Sequence, residues 1–158
     1  YVTKEIKAYW GGMLKLGATS FWEKYNPEEK GSEHYAMYGR PFGKSLCHAW
    51  GASPIYLLGK YYLGVSPVKP GYEEFSIEPS LGGLEWIKGS VPTPYGNIQV
   101  FMDKKTIKVA SPGGKGYLVF SSKSRPQSSH GKIEALGNNR YRLFLKGNGN
   151  EIVIKFEG

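Results

Sequence analysis

Gly64-Val-Ser-Pro-Val-Lys-Pro-Gly71 separates two kinds of sequence in this chain. Its glycines and prolines stop a helix and stiffen the crossing that follows. C-terminal to it the apolar period is two. The runs Phe75-Ser-Ile77, Leu84-Glu-Trp86-Ile87, Ile98–Met102, Ile107-Lys-Val109, Tyr117–Phe120, Lys132-Ile-Glu134, Tyr141–Leu145 and Ile152–Phe156 are short and often alternating. Between them lie Gly82-Gly83, Pro94-Tyr-Gly96, Pro112-Gly-Gly114, Asn138-Asn139 and Gly147–Asn150. Short strands at near-regular spacing, broken by turn residues, predict an antiparallel β-sandwich over residues 67–158. The Gly147–Asn150 run predicts a hairpin between the last two strands. Trp86, on a strand, is expected to fill the sandwich.

N-terminal to the linker the period is helical. Over Val2–Leu16, residues Ile6, Tyr9, Trp10, Met13 and Leu14 share one face. Thr3 is a candidate start, and Gly17 a candidate terminator. Gly11-Gly12 costs a helix interior about 1 kcal/mol per glycine, so close approach by another element or a ligand is expected there. Ser45–Leu63 reads as a second helix. Its apolar residues, from Leu46 and Trp50 through Leu57 to Tyr62, cover more than one stripe, which predicts enclosure on most sides. Pro54 kinks that helix or marks its true start. Asn26–Gly43 reads as a long loop in which His34, Tyr35, Met37 and Tyr38 are placed to cover a pocket. Two helices cannot enclose each other so fully, and a helical pattern already running at Tyr1 has no starting Met. We therefore expect a piece of a longer polypeptide.

The chain has 158 residues, 40% of them hydrophobic, in the range of globular proteins. No run approaches the ~20 apolar residues of a membrane span, so no membrane partner is expected. The net charge of +8 is scattered, with eight Lys/Arg against five Glu up to residue 66 and thirteen against eight acids beyond it. Without a basic stripe, nucleic acid is not expected as a partner. Cys47 is the only cysteine. It excludes an intrachain disulfide and a cysteine-based zinc site, and its neighbours Leu46 and Trp50 predict a buried, inert thiol. No phosphate-cradling loop, zinc helix or hydrolase triad motif is present, and neither metal nor cofactor is expected. Asp103, the only aspartate, sits with Lys104-Lys105 in a turn signal.

Chemistry centres on Gly17-Ala-Thr-Ser-Phe-Trp-Glu-Lys-Tyr25. Glu23 lies among aromatic residues, a setting that suits a sugar site because aromatic faces stack on sugar rings and carboxylates handle protons. By itself Glu23 reads as a salt-bridged or solvated carboxylate. His48, alone, reads as a hydrogen-bonded core histidine, and Trp10, Trp22 and Trp50 read as core.

Further motifs follow in order: Ser45-Leu-Cys-His48, Tyr62-Leu-Gly-Val-Ser-Pro67, Pro70-Gly-Tyr72, Ile77-Glu-Pro79, Leu81-Gly-Gly-Leu84 and Gly89-Ser-Val-Pro-Thr-Pro-Tyr-Gly96. With the Glu23 stretch, the chain up to Pro112 resembles the C-terminal end of the bacterial α-L-rhamnosidases of glycoside hydrolase family 78. Beyond Pro112 it resembles them only as a generic β domain. The resemblance implies an α+β fragment, with residues 1–66 as closing helices of an (α/α)6 barrel and residues 67–158 as the C-terminal β-sandwich. It implies that Glu23 is the general base of an inverting hydrolysis, with a normal or mildly raised pKa. His48 then contacts the rhamnose, and the aromatic neighbours, Trp22 first, wall the sugar. A second carboxyl, about 6.5–9.5 Å from the first in inverting enzymes, is implied to lie upstream of Tyr1. Glu28, Glu29 and Glu33 read as solvated.

The implied partners are a rhamnose-containing glycan or glycoside and the N-terminal part of the same protein. The fragment alone is expected to be inactive, and its truncated helices to self-associate through an apolar face. Cys47 stands where many members have Asn, and Ser20 where they have a second Thr, which bears on substrate preference. A competing expectation gives the sandwich no catalytic role. It then binds glycans through Tyr95, Tyr117 or Tyr141, or braces the barrel.

Overall fold

The computed structural model describes residues 1–156. It divides the chain into two compact units, Tyr1–Tyr56 and Leu57–Gly158.

In the first unit, α1 spans Val2–Lys15. It starts ahead of Thr3, with Tyr1 as N-cap and no side-chain cap. Gly12 and Met13 are buried, Ile6, Tyr9 and Trp10 are half-buried, and Leu14, expected on the same face, is exposed. The helix ends as its sequence requires. Gly17 takes φ +85°, its N–H donates to Leu14 O at 3.0 Å, and Ala18 N–H donates to Met13 O at 3.1 Å. This is a Schellman closure, which satisfies carbonyls the helix leaves open.

The double glycine has one structural reason, not two. A Cβ on Gly12 would stand 2.4 Å from the Tyr25 ring, whereas one on Gly11 would meet nothing within 4 Å. Tyr25 cannot easily move. Its backbone N–H donates to Tyr9 Oη at 2.9 Å, its ring meets the Tyr9 ring edge-on, and it stacks on His34.

The second helix differs from expectation. Ser45–His48 is not helical, and a 3-10 turn covers Ala49–Ala52. Only then comes α2, Ser53–Leu57, continued by a π-helical turn at Leu58–Tyr62. Pro54 thus marks the true start, where its missing N–H costs nothing. The apolar surface is not enclosed by described residues, since Trp50, Ile55, Tyr56, Leu58 and Tyr61 are exposed. Cys47 is exposed too, against expectation, because it lies in a bend rather than on a helix face.

Among the described residues the second unit holds ten strands in two five-stranded sheets. They are β1 Val65–Pro67, β2 Glu74–Ile77, β3 Trp86–Thr93, β4 Gly96–Asp103, β5 Thr106–Ala110, β6 Lys115–Ser121, β7 Gln127–Ser128, β8 Ile133–Gly137, β9 Arg140–Lys146 and β10 Glu151–Lys155. One sheet runs β1-β2-β6-β9-β8, the other β3-β4-β5-β10-β7. Phe75, Ile77, Leu118, Phe120, Leu143 and Leu145 from the first sheet share a core with Ile87, Ile98, Val100, Ile107, Val109 and Ile154 from the second. The sandwich expectation holds, with amendments. Part of the supposed linker is strand β1, and β7 is too short to leave a period. The β2–β6 pair is parallel, which is open to it because β3, β4 and β5 cross to the other sheet between them.

The expected terminal hairpin does not exist. β9 and β10 lie in different sheets. The Gly147–Asn150 turn instead runs against the β5–β6 connection, with Gly147 N–H donating to Gly114 O at 3.3 Å and Gly149 N–H to Ser111 O at 2.9 Å. A Cβ on Gly147 would stand 2.3 Å from Gly113 C, so only glycine lets the two arches touch. Trp86 is exposed, because Ile87 points inward and period two sends its neighbour outward. Asp103 does make its turn, its Oδ1 accepting from Lys105 N–H at 2.8 Å and Thr106 N–H at 2.7 Å.

The two helix glycines predict opposite effects. Gly11→Ala should stabilise the chain by about 0.5–1 kcal/mol through helix propensity. Gly12→Ala should destabilise it by about 1–3 kcal/mol through collision with Tyr25. Urea unfolding midpoints of the two variants against the native chain check both signs.

Candidate active site

The site is built by an extended pairing of two segments. Glu23 N–H donates to Ser45 O at 2.9 Å, and His48 N–H donates to Phe21 O at 2.7 Å. Ser20 Oγ donates to Leu46 O, closing the near end. Gly51 continues the close approach, since a Cβ there would lie 2.6 Å from Trp22 O. Its own carbonyl accepts from Trp10 Nε1 of α1 at 2.7 Å.

Glu23 is held at every polar atom. Its carbonyl accepts from Trp50 Nε1 at 2.9 Å. In the side chain, Oε1 accepts from Tyr38 Oη at 2.6 Å and Oε2 from Ser45 N–H at 3.1 Å. His48 Nδ1 stands 3.9 Å from Oε2, beyond a direct hydrogen bond. The Glu23 side chain is 5% exposed. Each carboxylate oxygen offers two acceptor directions, so one direction on each stays uncommitted.

These donors hold the Glu23 carboxyl below its ordinary value. The Tyr38 hydroxyl contributes most, then the Ser45 N–H, with the charges of His48 and Lys44 as lesser aids, against a smaller upward push from burial. This corrects the expectation of a normal or mildly raised value, which counted the aromatic setting but not the donors within it. The same bond pushes the Tyr38 phenol up, so the hydroxyl keeps its proton and remains the donor.

The other expected residues sort differently. His48 does come to the carboxylate, and its ring lies 4.0 Å from that of Trp50 at 40°. Trp22 is 3% exposed, with its ring against Tyr35, which is a packing position rather than a sugar-facing one. The indole that stands open beside Glu23 is Trp50, 65% exposed, although its sequence reads as core. Glu29 is not solvated. It pairs with Lys44 Nζ at 3.0 Å, Lys44 being 1% exposed in its side chain, and lies 3.6 Å from His34 Nδ1. Glu33 accepts from Lys30 N–H at 2.8 Å. Both carboxylates are engaged locally.

Sequence reasoning missed Tyr38, Ser45 and Trp50 as partners of Glu23. For Tyr38 a signal existed, because Tyr38-Gly39 between Met37 and Arg40 occupies the positions of a two-residue turn. Nothing in the sequence marks the Ser45 N–H as a carboxylate donor.

Residues 64–111 match the family described as bacterial alpha-L-rhamnosidase C-terminal domain. An alpha-L-rhamnosidase of Alteromonas sp. (strain LOR) is 35% identical over 101 residues, covering 61% of this chain and 10% of the relative. The chain therefore spans about a tenth of that relative's length. Among solved structures, the alpha-L-rhamnosidase of Streptomyces avermitilis in complex with L-rhamnose superposes with a TM-score of 0.70 at 15% identity, covering 94% of this chain and 15% of that one. The alpha-L-rhamnosidase from Dictyoglumus thermophilum gives 0.64 at 18% identity, covering 94% and 17%. In class, the chain carries a β-sandwich of two five-stranded sheets. In particular, it is similar to the C-terminal part of bacterial alpha-L-rhamnosidases.

The lowered Glu23 pKa predicts a stability signature. A carboxylate whose folded value lies below its unfolded one stabilises the fold fully above the unfolded value and loses that contribution as pH falls through the folded one. The difference in urea midpoint between the native chain and Glu23→Gln should hold steady above the ordinary glutamate value of 4.5 and shrink below it. A difference independent of pH down to acid unfolding would contradict the hydrogen-bonded carboxylate.

Proposed function

We propose that this chain is the C-terminal part of an enzyme that hydrolyses terminal α-L-rhamnosides with inversion, and that Glu23 is its general base. In this reading residues 1–66 are closing helices of an (α/α)6 barrel, and residues 67–158 form the sandwich that follows it. The observation that carries it is the Glu23 carboxylate, nearly buried, ionised by neutral donors and still holding free acceptor directions. The resemblance to alpha-L-rhamnosidases, one of them solved with L-rhamnose, supplies the sugar.

In this mechanism Glu23 takes a proton from the water that attacks the anomeric carbon opposite the leaving group. A protonated carboxyl elsewhere in the polypeptide protonates the glycosidic oxygen, at a separation of about 6.5–9.5 Å that leaves room for the water. The His48 imidazole hydrogen-bonds a sugar hydroxyl, and the open face of Trp50, steadied by its bond to Glu23 O, packs on the apolar face of the deoxysugar. Residues 1–158 contain the base without that acid, and alone they should release no rhamnose.

The test is hydrolysis of an aryl α-L-rhamnoside by the full-length enzyme. Glu23→Gln should lower kcat by about 10²–10⁴-fold, the usual contribution of a positioned base. Proton NMR should show β-L-rhamnose as the first product. The acid limb of the native pH profile should lie below the ordinary glutamate value, because the donors on Glu23 keep it ionised. Near-normal turnover by Glu23→Gln would overturn the assignment.

A second reading, glycan binding by the sandwich, is favoured by one observation. Tyr117 and Phe144 pair across β6 and β9 with rings 5.5 Å apart, both exposed, with Arg142 over the Tyr117 ring at 5.2 Å. Neutral oligosaccharides should then quench tyrosine fluorescence of the chain, and Tyr117→Ala should abolish the effect.

A further inference from the structure

We propose that Tyr38 is a positioning residue for Glu23, carried on a strained turn whose geometry serves the carboxylate rather than the loop. This rests on Glu23 as the working carboxylate of the proposed function.

Residues Met37–Arg40 form a tight turn. Met37 and Arg40 exchange both backbone hydrogen bonds at 3.0 Å, and between them Tyr38 has φ +54° and Gly39 φ +72°. A turn with both central residues in the left-handed region favours Asn or Asp followed by Gly. Gly39 fits that rule. Tyr38 does not, because a bulky residue at positive φ is strained unless its surroundings over-determine it. Those surroundings contain one specific partner. Tyr38 is 72% exposed, so core packing does not explain it, yet its hydroxyl lies 2.6 Å from Glu23 Oε1.

The loop that carries Tyr38 is anchored against movement. Gly43 sits so close to the turn that a Cβ would lie 2.3 Å from Met37 O, and Lys44 N–H donates to Tyr35 O at 3.0 Å. Lys44 is buried and paired with Glu29. The next residue, Ser45, gives its N–H to the other oxygen of Glu23. One short loop therefore delivers both donors, one to each carboxylate oxygen. With Oε1 held by Tyr38, the carboxylate plane is fixed and Oε2 faces His48. The charged and titratable groups that bear on Glu23 are Tyr38 and Lys44 from this loop and His48 from the paired segment.

The test separates positioning from turn-building. Glu23 is titrated in the chain by carbon NMR of its side-chain carboxyl, and thermal midpoints are taken in parallel for Tyr38→Phe and Tyr38→Asn. Tyr38→Phe removes only the hydroxyl. Tyr38→Asn removes the hydroxyl's reach but suits the left-handed turn. Both should raise the proton affinity of Glu23. Tyr38→Asn should do so with an unchanged or raised thermal midpoint. An unmoved titration in Tyr38→Phe overturns the proposal, as does a titration that moves only when the thermal midpoint falls in both variants. The result is independent of catalysis. Retained hydrolysis in Glu23→Gln would remove the base reading and leave this titration as it stands.

Discussion

The pairing of Phe21–Glu23 with Ser45–His48 is the constraint on which the candidate site depends. Two backbone hydrogen bonds, at 2.9 and 2.7 Å, fix the segments in register. That register brings the carboxylate of one to the imidazole of the other, and it turns the Ser45 N–H onto Oε2. It also explains why Ser45–His48 is not helical. In a helix starting at Ser45 the Ser45 C=O would be engaged within the segment and unavailable to the Glu23 N–H. Close approach then needs small residues, and Gly51 stands where the chain passes Trp22.

The first unit holds two carboxylates by different means. Glu29 faces the ammonium of Lys44, a buried cation that would be costly to leave unpaired. Glu23 is served instead by a phenol and an amide, neutral donors that stabilise the anion without neutralising it. A carboxylate held this way keeps an orientation and a charge and still has acceptor capacity left over. That contrast in chemistry, more than burial, distinguishes the two carboxylates.

In the sandwich the corresponding constraint is steric. The β5–β6 and β9–β10 connections carry the chain between the sheets in opposite senses, and Gly147 and Gly113 let them touch. The glycine-rich runs are thus crossings, not hairpin tips. With the two arches in contact, β10 joins β5 and β9 joins β6, and the apolar residues of both sheets close on one core.

By itself the sequence determined the change of period at Gly64–Gly71, most of the strands, the end of α1 at Gly17 and the Asp103 turn. These follow from local chemistry: side-chain alternation, glycine at positive φ and a carboxylate capping nearby N–H groups. It also carried the motifs that single out Glu23 and His48. The tertiary structure alone decided which indole is open, since Trp22 and Trp50 look alike in sequence and differ only in what packs on them. It decided that β9 and β10 part company, because a Gly-Asn turn suits a crossing as well as a hairpin. It decided, too, the proton affinity of Glu23. The donors that set it, Tyr38 Oη and Ser45 N–H, lie far along the chain, and no local pattern encodes a distance closed by the fold.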